Sequence, residues 1–256
     1  MLLALDIGNT KSAVGVLHEG EWIADWRVTT YPDHLADEYY VLLKALLEDK
    51  DLSWTQITGA VIASVVPPLT ATFQEMLERV MGRPPVVVGP DIETGIRIRI
   101  DNPREVGADR VANTAAVQKL YGGPAIVADL GTATTFDVVS KDGEYLGGAI
   151  APGLGISADA LVRRTAKLPK VELEMPSSAI GRNTVHAMQS GLVLGYLGLV
   201  KELVARLSEE VPGEPKVIAT GGMAEIVSEW TQVIDIVSPR LTLEGLRIIH
   251  ELNRGK

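Results

Sequence analysis

Two short segments carry the residue types that phosphate chemistry needs. Asp6-Ile7-Gly8-Asn9-Thr10 and Asp129-Leu130-Gly131-Thr132 each close an apolar run with Asp-x-Gly. In such a turn glycine lets the backbone approach a ligand closely, and successive N–H groups can hold phosphate oxygens. Asn9 and Thr10 add side-chain donors. A carboxylate repels a phosphate, so Asp6 is expected to act through a metal ion, or through water bound to one, that bridges nucleotide phosphates. One Asp-x-Gly is ordinarily a plain turn. Two in matching contexts favour one polyphosphate clamped by a loop from each half, with closure excluding water.

A third segment could supply acid–base chemistry. Asn102 as cap, Pro103 at the first helical position and Glu105 closing a capping box predict a helix from there to about Tyr121. On it Glu105, Asp109 and Asn113 share one face, with Arg110 alongside. That face fits a solvated polar surface. It also fits a site where a carboxylate accepts a hydroxyl proton during phosphoryl transfer and Arg110 grips a substrate carboxylate at two points. Thr184 is either the N-cap of the helix that follows it or a ligand contact. Ala219-Thr220-Gly221-Gly222 suits a nucleotide or a plain strand-to-helix turn. Lys11 points to phosphate or to solvent. The histidines (His18, His34, His186, His250) are scattered without metal-ligand spacing, and no Ser-His-Asp arrangement is visible.

The elements that must position these residues repeat. With Asp6 set on Asp129 and no gap, Val16 falls on Val139, Glu19 on Asp142, Gly20 on Gly143 and Trp22 on Tyr145. Each copy predicts a strand ending in Asp-x-Gly, a second strand (Ser12 to Leu17; Thr134 to Val139), a tight turn, and a third strand (Trp22 to Val28; Tyr145 to Ile150). Helices are expected over His34–Leu47, Leu69–Val80, about Thr184–Leu207, from Met223, and Leu243–Leu252. Strands are expected over Ala60–Val65, Pro85–Val88, Val217–Ala219 and Val233–Val237. Three strands followed by alternating helices and strands, twice over, predict an α/β protein of two mixed-sheet lobes with helices on their faces, divided as 1–121 and 122–256.

Composition sets the outer limits. The chain has 256 residues, no cysteine and a net charge of −9. Disulfides, zinc–thiolate sites and thiol nucleophiles are excluded. No Lys/Arg-dense run is present, which argues against nucleic acid as a partner. Asp6 interrupts the N-terminal apolar run, and no stretch approaches the ~20 apolar residues of a membrane span.

The motifs together resemble the superfamily of acetate kinases, sugar kinases, Hsp70 and actin, and within it type III pantothenate kinases. The resemblance rests on Asp6 to Thr10, Asp101-Asn102-Pro103, Gly107-Ala108-Asp109-Arg110-Val111-Ala112-Asn113, and Asp129 to Thr135. Gly147-Gly148-Ala149-Ile150, Pro152-Gly153, Gly181-Arg182-Asn183-Thr184 and Gly221-Gly222 follow in the family's order. It implies a duplicated ribonuclease H-like (actin-like) fold and ATP-dependent phosphorylation of pantothenate to 4′-phosphopantothenate, the first step of coenzyme A synthesis. It assigns Asp109 as catalytic base, and Gly107, Ala108, Asp109, Arg110 and Thr184 as substrate contacts. ATP would be bound by Asp6, Ile7, Gly8, Asn9, Thr10, Ser12, Ala13 and Thr132, and through its charge by Lys11, which the family pattern does not call for, with Mg²⁺ at Asp6 directly or through water. A monovalent cation, potassium or ammonium, would sit at Asp129. A cytoplasmic homodimer is implied, with the substrate site near its boundary and Thr184 acting either within its own subunit or from the neighbouring one. Ile100 stands where many members have tyrosine. Two other readings use the same loops: another small-molecule, sugar-like kinase, or a non-catalytic nucleotide-binding regulator.

Overall fold

The computed structural model describes residues 1–254. In chain order the strands are β1 (Leu2–Ile7), β2 (Lys11–His18), β3 (Glu21–Thr29), β4 (Gly59–Ser64), β5 (Val86–Val87), β6 (Arg97–Ile98), β7 (Ala125–Leu130), β8 (Ala133–Val139), β9 (Glu144–Pro152), β10 (Lys216–Thr220) and β11 (Ile236–Val237). The helices are α1 (Ala36–Glu48), α2 (Pro67–Met81), α3 (Ala108–Leu120), α4 (Leu154–Arg164), α5 (Thr184–Gln189), α6 (Gly195–Glu210), α7 (Ala224–Trp230) and α8 (Leu241–Asn253). The chain forms two compact units, Met1–Tyr121 with the segment from Arg240 onward, and Gly122–Pro239.

In the first unit the sheet order is β3-β2-β1-β4-β5, with β1 antiparallel to β2 and parallel to β4. β1 and β4 are near-continuous apolar runs, as strands covered on both faces must be. Alternate side chains feed two cores. Leu3, Leu5 and Ile7 pack with Tyr39 and Leu43 of α1 and Phe73 and Leu77 of α2. Leu2 and Ala4 pack with Val111, Ala112 and Ala115 of α3 and with Leu243, Leu246 and Ile249 of α8. The expected division gave the last helix to the second half. Its apolar face instead completes the first unit's core, each buried Leu or Ile contributing ~1.5–3 kcal/mol.

In the second unit β9-β8-β7-β10-β11 repeat the same order, with β7 antiparallel to β8 and parallel to β10. This is the duplicated ribonuclease H-like (actin-like) α/β fold. Its core joins Ile126, Ala128 and Leu130 of β7 to Leu154 of α4 and to Val193, Leu197 and Val200 of the long helical run. That run is continuous but not uniform. A π turn at Ser190–Leu194 separates α5 from α6.

The gapless repeat needs one correction. Ile7 pairs with Ser12 in β2, whereas Leu130 pairs with Thr134 in β8. The second Asp-x-Gly loop is therefore one residue shorter. The loss is restored at the hairpin tip. Leu17 pairs with Trp22 around a two-residue turn in which Glu19 and Gly20 both take positive φ. Val139 pairs with Tyr145 around a turn one residue longer. Between these points Val16 corresponds to Val138 rather than Val139, Ser12 to Thr134, and Thr10 to Thr132.

Candidate active site

Each Asp-x-Gly loop sits at the C-terminal end of a central strand, where open α/β sheets bind ligands. In the first unit Asp6 lies between Ala13 of β2 and Ala63 of β4. The Gly8 N–H donates to the Lys11 carbonyl at 3.2 Å, and a Cβ on Gly8 would stand 2.8 Å from that oxygen. Asn9, Thr10 and Lys11 are exposed, whereas the Ile7 and Ser12 side chains are buried. Ile7 can therefore serve a nucleotide through its backbone alone. Ser12 Oγ shares a 2.9 Å hydrogen bond with Thr30 Oγ1, and the Thr30 N–H donates to the Thr10 carbonyl at 3.0 Å.

Asp109 belongs to the same end of the same unit. The Val65 N–H, just beyond β4, donates to the Ile7 carbonyl at 3.0 Å. The Val65 side chain lies 3.4 Å from where a Cβ on Gly107 would stand, and Asp109 Oδ1 2.5 Å from it. The local fold differs from the predicted helix. Asn102 caps only a short 3₁₀ turn, Pro103–Glu105, accepting from the Arg104 N–H at 3.3 Å and donating to Glu105 Oε1 at 2.7 Å. The chain then extends through Val106 and Gly107, and α3 starts at Ala108. Glu105 thus leaves the helical face, and Asp109 lies in the first turn.

Asp109 is half-buried, and its pKa is raised above the ordinary carboxylate range by desolvation. The Arg110 N–H, donating to Oδ1 at 2.8 Å, and the Arg110 guanidinium pull the other way without overcoming burial. A carboxylate held in this state is a better proton acceptor than an exposed one. Behind it, buried Asn113 accepts from Thr242 Oγ1 at 2.8 Å, which ties α3 to α8.

In the second unit Asp129 lies opposite Thr220 at the ends of β7 and β10. Gly221 follows with φ of +90°, and a Cβ there would stand 2.5 Å from Asp129 Oδ1. Gly131 leaves 3.2 Å to the same oxygen. The Met223 N–H donates to the Leu130 carbonyl at 3.0 Å, which pins the Gly221-Gly222 turn to the loop. Thr132 is exposed. Gly153, after β9, sits where any side chain would collide with the carbonyls of Gly131 and Thr132. Among the described residues no group of three or more His, Cys, Asp or Glu could hold a metal ion. One carboxylate per loop suits a hard cation that takes its other ligands from phosphate, water and backbone carbonyls.

Thr184 lies elsewhere in the second unit. Asn183, not Thr184, caps α5, accepting from the His186 N–H at 2.9 Å. Thr184 is exposed and lines an open cavity of about 590 Å³ with Leu161, Leu168, Arg182 and Ala187.

Two residues with no role in the sequence reading adjoin the second loop. Buried Thr134 shares a 2.7 Å hydrogen bond with the Tyr196 hydroxyl of α6. Burial raises the Tyr196 pKa, and the charge of Asp129 adds to the rise against that hydrogen bond. Thr134 lies in the segment Asp129 to Thr135, but nothing in the sequence marks Tyr196 apart from an apolar helical stripe.

A family model described as type III pantothenate kinase matches residues 2–206. The chain belongs to this family. A type III pantothenate kinase of Moorella thermoacetica is 51% identical over 253 residues, covering 99% of this chain and 100% of its own. Another, from Dehalococcoides mccartyi, is 49% identical over 253 residues, covering 99% and 96%. Among solved structures, the activator of the 2-hydroxyisocaproyl-CoA dehydratase from Clostridium difficile, with bound ADPNP, matches at a TM-score of 0.57. It is 13% identical, with 98% of this chain and 95% of that one covered, a likeness of fold alone.

Proposed function

We propose that this chain transfers the γ-phosphoryl group of ATP to the primary hydroxyl of pantothenate, giving 4′-phosphopantothenate and ADP, the first step of coenzyme A synthesis. The observation that carries this reading is Asp109. It is a desolvated carboxylate in the first turn of α3, at the strand ends that also present the Asp6 loop. Asp109 accepts the hydroxyl proton as the oxygen attacks phosphorus, a contribution of about 10²–10⁴-fold in rate. Arg110 holds the pantothenate carboxylate, with Gly107 and Ala108 letting the substrate lie against the backbone.

The ATP contacts are proposed along the first loop, from Asp6 through Gly8, Asn9, Thr10 and Lys11 to Ser12 and Ala13, and at Thr132 in the second. Asp6 holds magnesium directly or through water, and Asp129 holds potassium or ammonium. Bound there, these ions offset phosphate charge. Asp6 and Asp129 otherwise act as fixed anions, and side chains at Gly131 and Gly221 would crowd Asp129 Oδ1. Thr184 is proposed as a substrate contact made across a homodimer. Exposed Ile156, Leu161, Ile180 and Val185 on the unit that carries it favour such an assembly. No helix among the described residues is long and apolar enough to cross a membrane. The proposed compartment is the cytoplasm.

Coupled ADP release with ATP and Mg²⁺, with and without pantothenate, in potassium and then in sodium, tests this reading. Pantothenate-dependent release in potassium is expected. Release independent of pantothenate would overturn the substrate assignment, and equal rates in sodium would remove the cation from Asp129.

A further inference from the structure

The two Asp-x-Gly loops are backed by different side chains. In each hairpin a buried hydroxyl stands at the first β2-type position whose partner is the residue after the aspartate: Ser12 opposite Ile7, and Thr134 opposite Leu130. In the first unit the hydroxyl that answers it comes from within the hairpin, since Thr30 directly follows β3. Lys11 pairs with Thr29, and Ala133 with Pro152, so the residue in Thr30's place in the second unit is Gly153. Glycine has no hydroxyl to give, and the close carbonyls of Gly131 and Thr132 admit nothing larger. The partner arrives instead from the long helical run, as Tyr196, just past the π turn at Ser190–Leu194. A π turn adds a residue to one turn and re-aims every side chain beyond it, and such turns recur at functional sites. Both hydroxyls are buried, Thr134 at 0% and Tyr196 at 6% exposure, so each lacks water as an alternative partner.

We infer that Tyr196 is a positioning residue for phosphoryl transfer: through Thr134 it fixes the second Asp-x-Gly loop, and with it Asp129 and Thr132, in the geometry that receives the cation and the ATP phosphates. The inference rests on the proposed roles of Asp129 and Thr132. It adds that their geometry is set by a helix outside the hairpin. A loosened loop weakens binding of cation and nucleotide. It leaves pantothenate recognition at Arg110 untouched.

The test uses the full-length protein and four variants: Tyr196→Phe, Thr134→Val, Thr134→Ser and the double variant Y196F/T134V. Two quantities are read without turnover: the potassium concentration that half-saturates the rise in Tm relative to sodium, and the Kd of β,γ-imido-ATP by calorimetry. A third is the KM of pantothenate. Loss of one buried hydrogen bond is expected to raise the first two about fivefold in Y196F and in T134V. T134S should stay within about twofold of the parent, and the double variant should be no worse than either single, because one interaction is lost. The KM of pantothenate should not move. If Tm of the parent is indifferent to potassium, the cation role of Asp129 fails, and the imido-ATP affinity alone decides the role of Tyr196. Unchanged imido-ATP affinity in both single variants, or additive losses in the double variant, would overturn the inference. Should Y196F fail to fold, the T134V and T134S pair carries the same decision.

Discussion

The two units are built on one plan but hold their Asp-x-Gly loops differently. In the first, the loop is four residues long between paired strands. Its hydroxyl brace, Ser12 with Thr30, and the Thr30–Thr10 backbone bond come from its own hairpin, and the Val65 N–H holds the Ile7 carbonyl as the Met223 N–H holds that of Leu130. In the second it is three residues long and is braced from its own hairpin by Gly153 and from outside it by two further segments. Gly153 lies against its carbonyls, the Gly221 turn against Asp129, and Tyr196 against Thr134. A self-braced loop tolerates change in neighbouring helices. A loop braced by two other segments as well is sensitive to each of them. The first unit also carries Asp109 beside its loop, so the proposed chemistry falls on the unit with the more autonomous loop.

The largest expected effect concerns that chemistry. Asp109→Asn should lower kcat by about 10²–10⁴-fold while the Kd of β,γ-imido-ATP stays within about twofold, as steady-state rates and calorimetry would show. Loss of nucleotide affinity in step with kcat would mean that Asp109 serves the loop and not the proton.

Next in size is the contrast between the braces. Gly153→Ala forces a methyl group into the carbonyls of Gly131 and Thr132 and should cost about 1–3 kcal/mol of stability. Thr30→Ala removes one hydroxyl from the other hairpin and should cost about 1 kcal/mol. Chemical denaturation of both variants compares them. A Gly153→Ala protein as stable as its parent would contradict the close seat of Gly153 against those carbonyls. Gly221→Ala places a β-carbon in a left-handed backbone and against Asp129 Oδ1. Its potassium half-saturation should rise several-fold while pantothenate KM holds.

The smallest effect is in pH dependence. Asp109 binds its proton more tightly folded than unfolded, because burial raises its pKa. Between the unfolded and folded values the native state therefore binds more protons, and stability falls as pH rises. D109N removes that penalty, so its Tm should exceed the parent's near neutral pH, with the gap closing in acid. The parent's kcat should fall on acidification through the raised pKa. A D109N protein no more stable than its parent at neutral pH would contradict the buried-carboxylate account.

The strand order was legible because Asp-x-Gly, the hairpin turn and the apolar runs repeat at one spacing. The off-by-one register was not, because a shorter loop and a longer turn cancel by Trp22 and Tyr145. The last helix was misplaced because Leu243, Leu246 and Ile249 mark an apolar face without naming the core it enters. The helix around Asp109 was drawn too early. Asn102, Pro103 and Glu105 do form a cap, but they spend it on a single 3₁₀ turn before Gly107. Tyr196 left no mark in the sequence, since it lies on an apolar helical stripe and its partner Thr134 is 62 residues away.

Phosphorus NMR of the product formed from ATP, Mg²⁺ and pantothenate in potassium buffer decides whether this chain is the kinase proposed. One new phosphomonoester is expected, on the primary hydroxyl of pantothenate, in amount equal to the ADP formed. ADP accompanied only by inorganic phosphate, or no ADP at all, would contradict that proposal.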